Sequence, residues 1–145
     1  MRPRRCESGQ SVVFFVAILT CLAFVLALVL EVGRLAYARG ELSKCADAAA
    51  LAAASRVDIA AYRSTGRIVF LPDVYAYART YAGLNAGYLS RRSIPVAVTA
   101  IRVEASTHVV AVSVSADLAP LLPSLLQQGA RLTVTGYAQA RIGAQ

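Results

Sequence analysis

The chain has 145 residues, 57% of them hydrophobic, with 15 Lys+Arg against 8 Asp+Glu and a net charge of +7. That is one domain or less, and too apolar for a disordered tail. One His, three Cys and no Trp supply neither a zinc module, nor a His-based hydrolase, nor a disulfide scaffold. A small membrane-attached protein that acts by packing is the class left.

Residues 1–10 read as a short basic tail, with Arg2, Arg4 and Arg5 against Glu7. Residues 11–30 follow as twenty uncharged positions, fourteen of them Val, Ile, Leu or Phe. At ~1.5 Å per residue such a helix spans ~30 Å, the thickness of a bilayer core. The fourteen side chains favour insertion by roughly 4 to 8 kcal/mol. A buried core helix is the weaker reading, because a chain this short cannot wrap an all-apolar helix on every side. A cleaved signal peptide has a shorter apolar region, followed closely by small residues. Here Ala36-Tyr37-Ala38 lies beyond Glu31 and Arg34. The span is therefore read as a retained transmembrane helix. The tail's arginines place the N-terminus in the cytoplasm, with residues 31–145 outside. The location expected is the inner or cytoplasmic membrane, crossed once.

The helix is expected to continue through residues 31–57, since Pro is absent between Pro3 and Pro72 and Ala, Leu, Glu, Lys and Arg dominate. One helix from about Gln10 to about Val57 would be ~70 Å long. Leu35, Ala38, Leu42, Cys45, Ala49 and Ala52 recur at spacings of 3 and 4, an apolar heptad seam. The sheet predicted below can cover only the distal part, residues 45–57. The proximal part, around Leu35 and Leu42, is expected to stay free for a partner. Gly33 and Gly40 suggest either close backbone approach or a slight bend. Glu31–Arg34 and Glu41–Lys44 are candidate ion pairs. Cys6, Cys21 and Cys45 fall in three different compartments, so Cys45 could pair only between chains.

The order Gly9-Gln10-Ser11, an apolar span, Glu31, Gly33, Arg34, Tyr37, Arg39, and then Ala46-Asp47 leading through Leu51 to Ala54 resembles the N-terminal segment of TadE/TadG-like proteins. These belong to the tight-adherence (Flp-type) pilus assembly system, and the likeness covers roughly residues 8–56. It implies a pilin-like component that packs against other pilus-assembly subunits in a bacterial inner or cytoplasmic membrane. It also implies a prepilin-peptidase junction at Gly9-Gln10. TadE-like members often carry Glu five residues after that Gly, where this chain has Phe14. The closer likeness is thus to the TadG-like type, which keeps its N-terminus as an anchor.

Residues 58–145 read as a small α+β head. Residues 58–72 are expected to form a loop, with a short strand at 67–71. Asp73 is the expected N-cap of a second helix over 73–89. Val74, Tyr77, Tyr81, Leu84 and Tyr88 form its apolar stripe, read as core rather than as a ligand cradle. Three strands follow at 96–104, 108–116 and 131–142. The first shifts its alternation near Ala100, the sign of a bulge. Residues 105–107 are the expected turn. Leu118–Leu126, with two prolines and five leucines, could cap the sheet, touch the membrane or meet a partner. The fold class is α+β: a long N-terminal membrane-anchored, pilin-like helix, a second helix and a small three-stranded antiparallel sheet.

Catalytic chemistry finds no footing. His108 has no nucleophile and acid in sequence context, and a phosphate loop and a Cys-x-x-Cys pair are both missing. No catalytic, metal or cofactor residue is assigned, and no small-molecule substrate is expected. Arg91-Arg92 reads as a solvated loop rather than a nucleic-acid patch. The other class consistent with the residues is a signal-anchored envelope binding or scaffold module outside any fibre.

Overall fold

The computed structural model describes residues 8–104, 108–120 and 131–142. Among the described residues four helices precede three strands: α1 (Ser8–Ala54), α2 (Ile59–Thr65), α3 (Val74–Leu84), α4 (Gly87–Arg91), β1 (Val96–Glu104), β2 (Val109–Leu118) and β3 (Leu132–Arg141). The chain falls into two units, Met1–Arg34 and Leu35–Gln145. In the first, the apolar side chains of α1 point outward; Val13 is 71% and Phe14 68% exposed. Uncovered apolar surface of that length and composition suits a bilayer crossing.

The second unit is the head. Its sheet is an antiparallel meander in the order β1-β2-β3. Val110, Val112 and Val114 alternate onto one face and are fully buried. Gly136, Ala138 and Ala140 continue that face on β3, while Thr133, Thr135, Tyr137 and Gln139 look outward. A bulge at Thr99 shifts the β1–β2 register between Val98 and Ala100, so the broken alternation near Ala100 was a true signal. The turn expected at 105–107 lies outside the described residues, as does most of the Leu118–Leu126 segment.

Three local expectations are corrected. Residues 58–72 are not one loop. Asp58 caps α2 by accepting the Ala61 amide at 2.9 Å, and Gly66 closes it in the left-handed region at φ 66. The short strand reduces to one bridge, Val57 to Phe70. Asp73 is the N-cap residue of α3, as expected, but its side chain makes no capping hydrogen bond; its carboxylate meets Arg56 at 3.4 Å instead.

The helix expected over 73–89 is two helices. The Asn85 side-chain amide donates to the Tyr81 carbonyl at 2.9 Å, a local bond that competes with helix continuation. The buried face is Val74, Ala78 and Ala82, followed by Ala86 and Leu89, not the tyrosine stripe. Leu84 is 74% exposed. Alanines let the helix approach closely, while the tyrosines keep their hydroxyls near water.

Candidate functional site

The segment of α1 from Glu31 to Ala54 holds most of the residues singled out in the sequence. Its inward face is wider than the heptad seam. Ala38, Leu42, Cys45, Ala46, Ala49, Ala50 and Ala53 are all fully buried in the head. They pack with the valines of β2 and the small residues of β3 in one core, with Leu35 at its margin. The expectation that the proximal seam stays open is therefore wrong: Leu42 is at the centre of the head. The helix that was expected to seek a partner through this face meets its own sheet.

The reason is a residue the sequence reading passed over. A Cβ placed on Gly136 would stand 2.5 Å from the Leu42 carbonyl carbon, 2.6 Å from its oxygen and 2.8 Å from the Ser43 nitrogen. Only a hydrogen fits, so β3 rides directly on the α1 backbone. A glycine inside an otherwise alternating strand was the available signal. Gly33 and Gly40, the glycines that did attract notice, have no atom within 4 Å of a built Cβ. The close approach is not theirs.

Burial also decides the cysteines. Cys45 is fully enclosed, and that desolvation pushes its thiol pKa up. It is thus shut away from the interchain pairing considered for it. Cys21 lies exposed on the span. The side chains of Cys6 and Gly9 lie outside the described residues, while Gln10 is exposed on α1.

The resemblance residues divide between the two faces. Ala46 is buried, whereas Gly33, Tyr37, Arg39, Asp47 and Leu51 are exposed. Glu31 holds Arg34 at 3.0 Å, and Glu41 holds Lys44 at 2.7 Å. The Glu41 bond raises the Lys44 pKa. Tyr37 stacks edge-on against Tyr88, with ring centroids 4.6 Å apart. Arg92 lies over Tyr88 at 5.1 Å. At the far end of α1, Arg56 sits 4.0 Å over the Tyr77 ring, and the Tyr77 and Tyr81 hydroxyls share a 3.2 Å bond.

A groove of about 330 Å³ beside α4 is lined by Gly83, Ala86, Ser90, Ser93, Ile94, Pro95 and Val96. None of the four tyrosines of 75–88 lines it, so they build no cradle there. His108 is exposed, at φ 53, with its ring against Tyr62. Among the described residues no three His, Cys, Asp or Glu stand together as a metal site would need.

What these features define is a class: an apolar helix long enough to cross a membrane, whose continuation forms the spine of a small α+β head. Within that class, residues 9–56 match the model of the family described as putative Flp pilus-assembly TadE/G-like. The matched stretch is nearly coextensive with α1. No curated protein and no solved structure matches the chain. The family match and the exposed apolar helix together support a Tad-related membrane component.

Proposed function

We propose that this protein is a membrane-anchored, pilin-like component of tight-adherence pilus assembly or the related secretion machinery. It works by helix packing with partner subunits and carries out no catalysis. The observation that supports this best is the coincidence of the family match with α1. In this reading residues 1–10 are a cytoplasmic tail, 11–30 cross the membrane once, and 31–57 with the 58–145 head lie outside. The chain keeps its N-terminus, since Phe14 stands where a pilin-like subunit would carry an acid.

Because the seam is buried in the head, partner contacts fall to what α1 leaves uncovered. These are the side chains of the span and the outward face at Gly40, Lys44, Asp47 and Leu51, where Leu51 is 67% exposed. Leu51→Glu should leave the protein in the membrane yet abolish pilus assembly in its native host. Normal piliation by that variant would remove the outer face from the mechanism. Alkaline phosphatase fused after Gln145 should be active; an inactive fusion reverses the topology.

A further inference from the structure

The sheet has two edges, and the chain treats them differently. β1 follows Pro95 and carries the bulge at Thr99, two devices that blunt an edge against further pairing. β3 has neither. Its pairing with β2 runs without a shift from Leu132 to Arg141, and no proline interrupts it. Among the described residues no strand pairs with its outer side.

One hydrogen bond fixes which groups that side presents. The Ile142 amide donates to the His108 carbonyl at 2.8 Å, in the register that sets Val109 against Arg141. Along an antiparallel ladder, pairs bonded in this way alternate with pairs whose N–H and C=O groups point away. Leu132, Val134, Gly136, Ala138 and Ala140 therefore bond to β2. Thr133, Thr135, Tyr137, Gln139 and Arg141 turn their backbone groups to the open edge. All of these are exposed, and no described residue takes up their edge-facing amides and carbonyls.

The ends of this edge are basic. Arg131 and Arg141 bracket β3, which contains no acid, and both are exposed. Among the described residues neither joins an ion pair. Asp117, opposite Thr133 in the ladder, already accepts from the Thr133 hydroxyl at 2.7 Å. Charge selects the occupant. A second copy of β3 laid along the edge, in either direction, brings arginine close to arginine at both ends, which is unfavourable. An extended segment with an acid at each end instead sets carboxylates against the two guanidinium forks. At ~3.3 Å per residue those forks stand ~33 Å apart. On the inner side, alternate side chains of the added strand fall beside Gly136 and Ala138. There α1 lies directly on the sheet, so those side chains must be small.

We propose that the outer edge of β3 is a strand-docking site for an extended segment of another protein, small at alternate positions and acidic at both ends. The edge lies wholly within the 35–145 unit and is the same whatever residues 11–30 do.

The test uses the full chain in detergent micelles and a fluorescent synthetic peptide. The peptide spans the distance from Arg131 to Arg141, with glutamate at both ends and alanine alternating with threonine between them. Its anisotropy should rise on binding. Thr135→Pro removes an edge-facing N–H and leaves the bonds to β2 in place. Buried Cys45 should then stay protected from alkylation while peptide affinity falls about tenfold or more. A peptide N-methylated along its backbone should not bind the unaltered chain. Arg131→Glu with Arg141→Glu should shift the preference to the same peptide ended in lysine. No binding of the acidic peptide, or affinity untouched by Thr135→Pro in a folded head, overturns the site. Equal affinity for the lysine-ended peptide overturns the acidic occupant. So does self-association of the chain that Thr135→Pro abolishes, since a second copy would then hold the edge. If Thr135→Pro exposes Cys45, the N-methylated peptide is decisive: binding as tight as that of the plain one overturns backbone pairing.

Discussion

Gly136→Ala probes the contact on which the head is built. Gly136 has no positive φ, so alanine is allowed by the backbone. In an ordinary strand this change would stabilise by ~0.5–1 kcal/mol. Here the new Cβ meets main-chain atoms of α1 at 2.5 to 2.8 Å, and raising the closest of these to an ordinary 3.4 Å means moving β3 off α1 by about 0.9 Å. A gap of that size forfeits roughly a quarter to a half of each facing dispersion contact. Ala138, Ala140 and the β2 valines share the face, so the loss spreads along the sheet. Overpacking of this kind costs ~1–3 kcal/mol, and a clash with backbone rather than a flexible side chain puts it at the upper end. The assay is urea unfolding of the full chain in detergent micelles, read by pulse alkylation of buried Cys45 on its own peptide. With a urea slope of ~1–3 kcal/mol/M, the midpoint should fall by about 1–2 M. An unchanged or raised midpoint would refute the placement of β3 against Leu42.

Leu42→Glu should bury an unpaired carboxylate and leave Cys45 alkylated without denaturant, a cost of several kcal/mol, whereas Leu51→Glu should change the stability by no more than ~0.5 kcal/mol. The Cys45 thiol is held protonated by burial, so the folded state keeps its proton where the unfolded chain has lost it. Head stability should be complete below the ordinary thiol range and decline as pH rises above it; a Cys45→Ala variant should flatten that decline. Arg56→Ala removes both the 3.4 Å contact to Asp73 and the stacking on Tyr77, and should cost ~1 kcal/mol in the same titration.

The strands, the long helix and its apolar first part were legible because their periods are local properties of the chain. Val110, Val112 and Val114 alternate whatever they face, and twenty uncharged residues read as a span wherever they lie. The strand bulge and the Glu31–Arg34 and Glu41–Lys44 pairs were legible for the same reason. Which side of α1 meets what was not. The seam from Leu35 to Ala52 is compatible with a partner or with the chain's own sheet, and spacing alone cannot separate the two. Only the tertiary structure brings Gly136 onto Leu42, more than ninety residues away, and so turns that stripe inward. The same distance effect moved the buried face of α3 from its tyrosines to its alanines, since α3 lies close against β1 and close approach favours small side chains over large ones. It also left Asp73 at its N-cap position but turned its carboxylate to Arg56 instead of the helix amides. Local pattern sets which residues share a face; the long-range contact, made only in the folded chain, sets which face is buried.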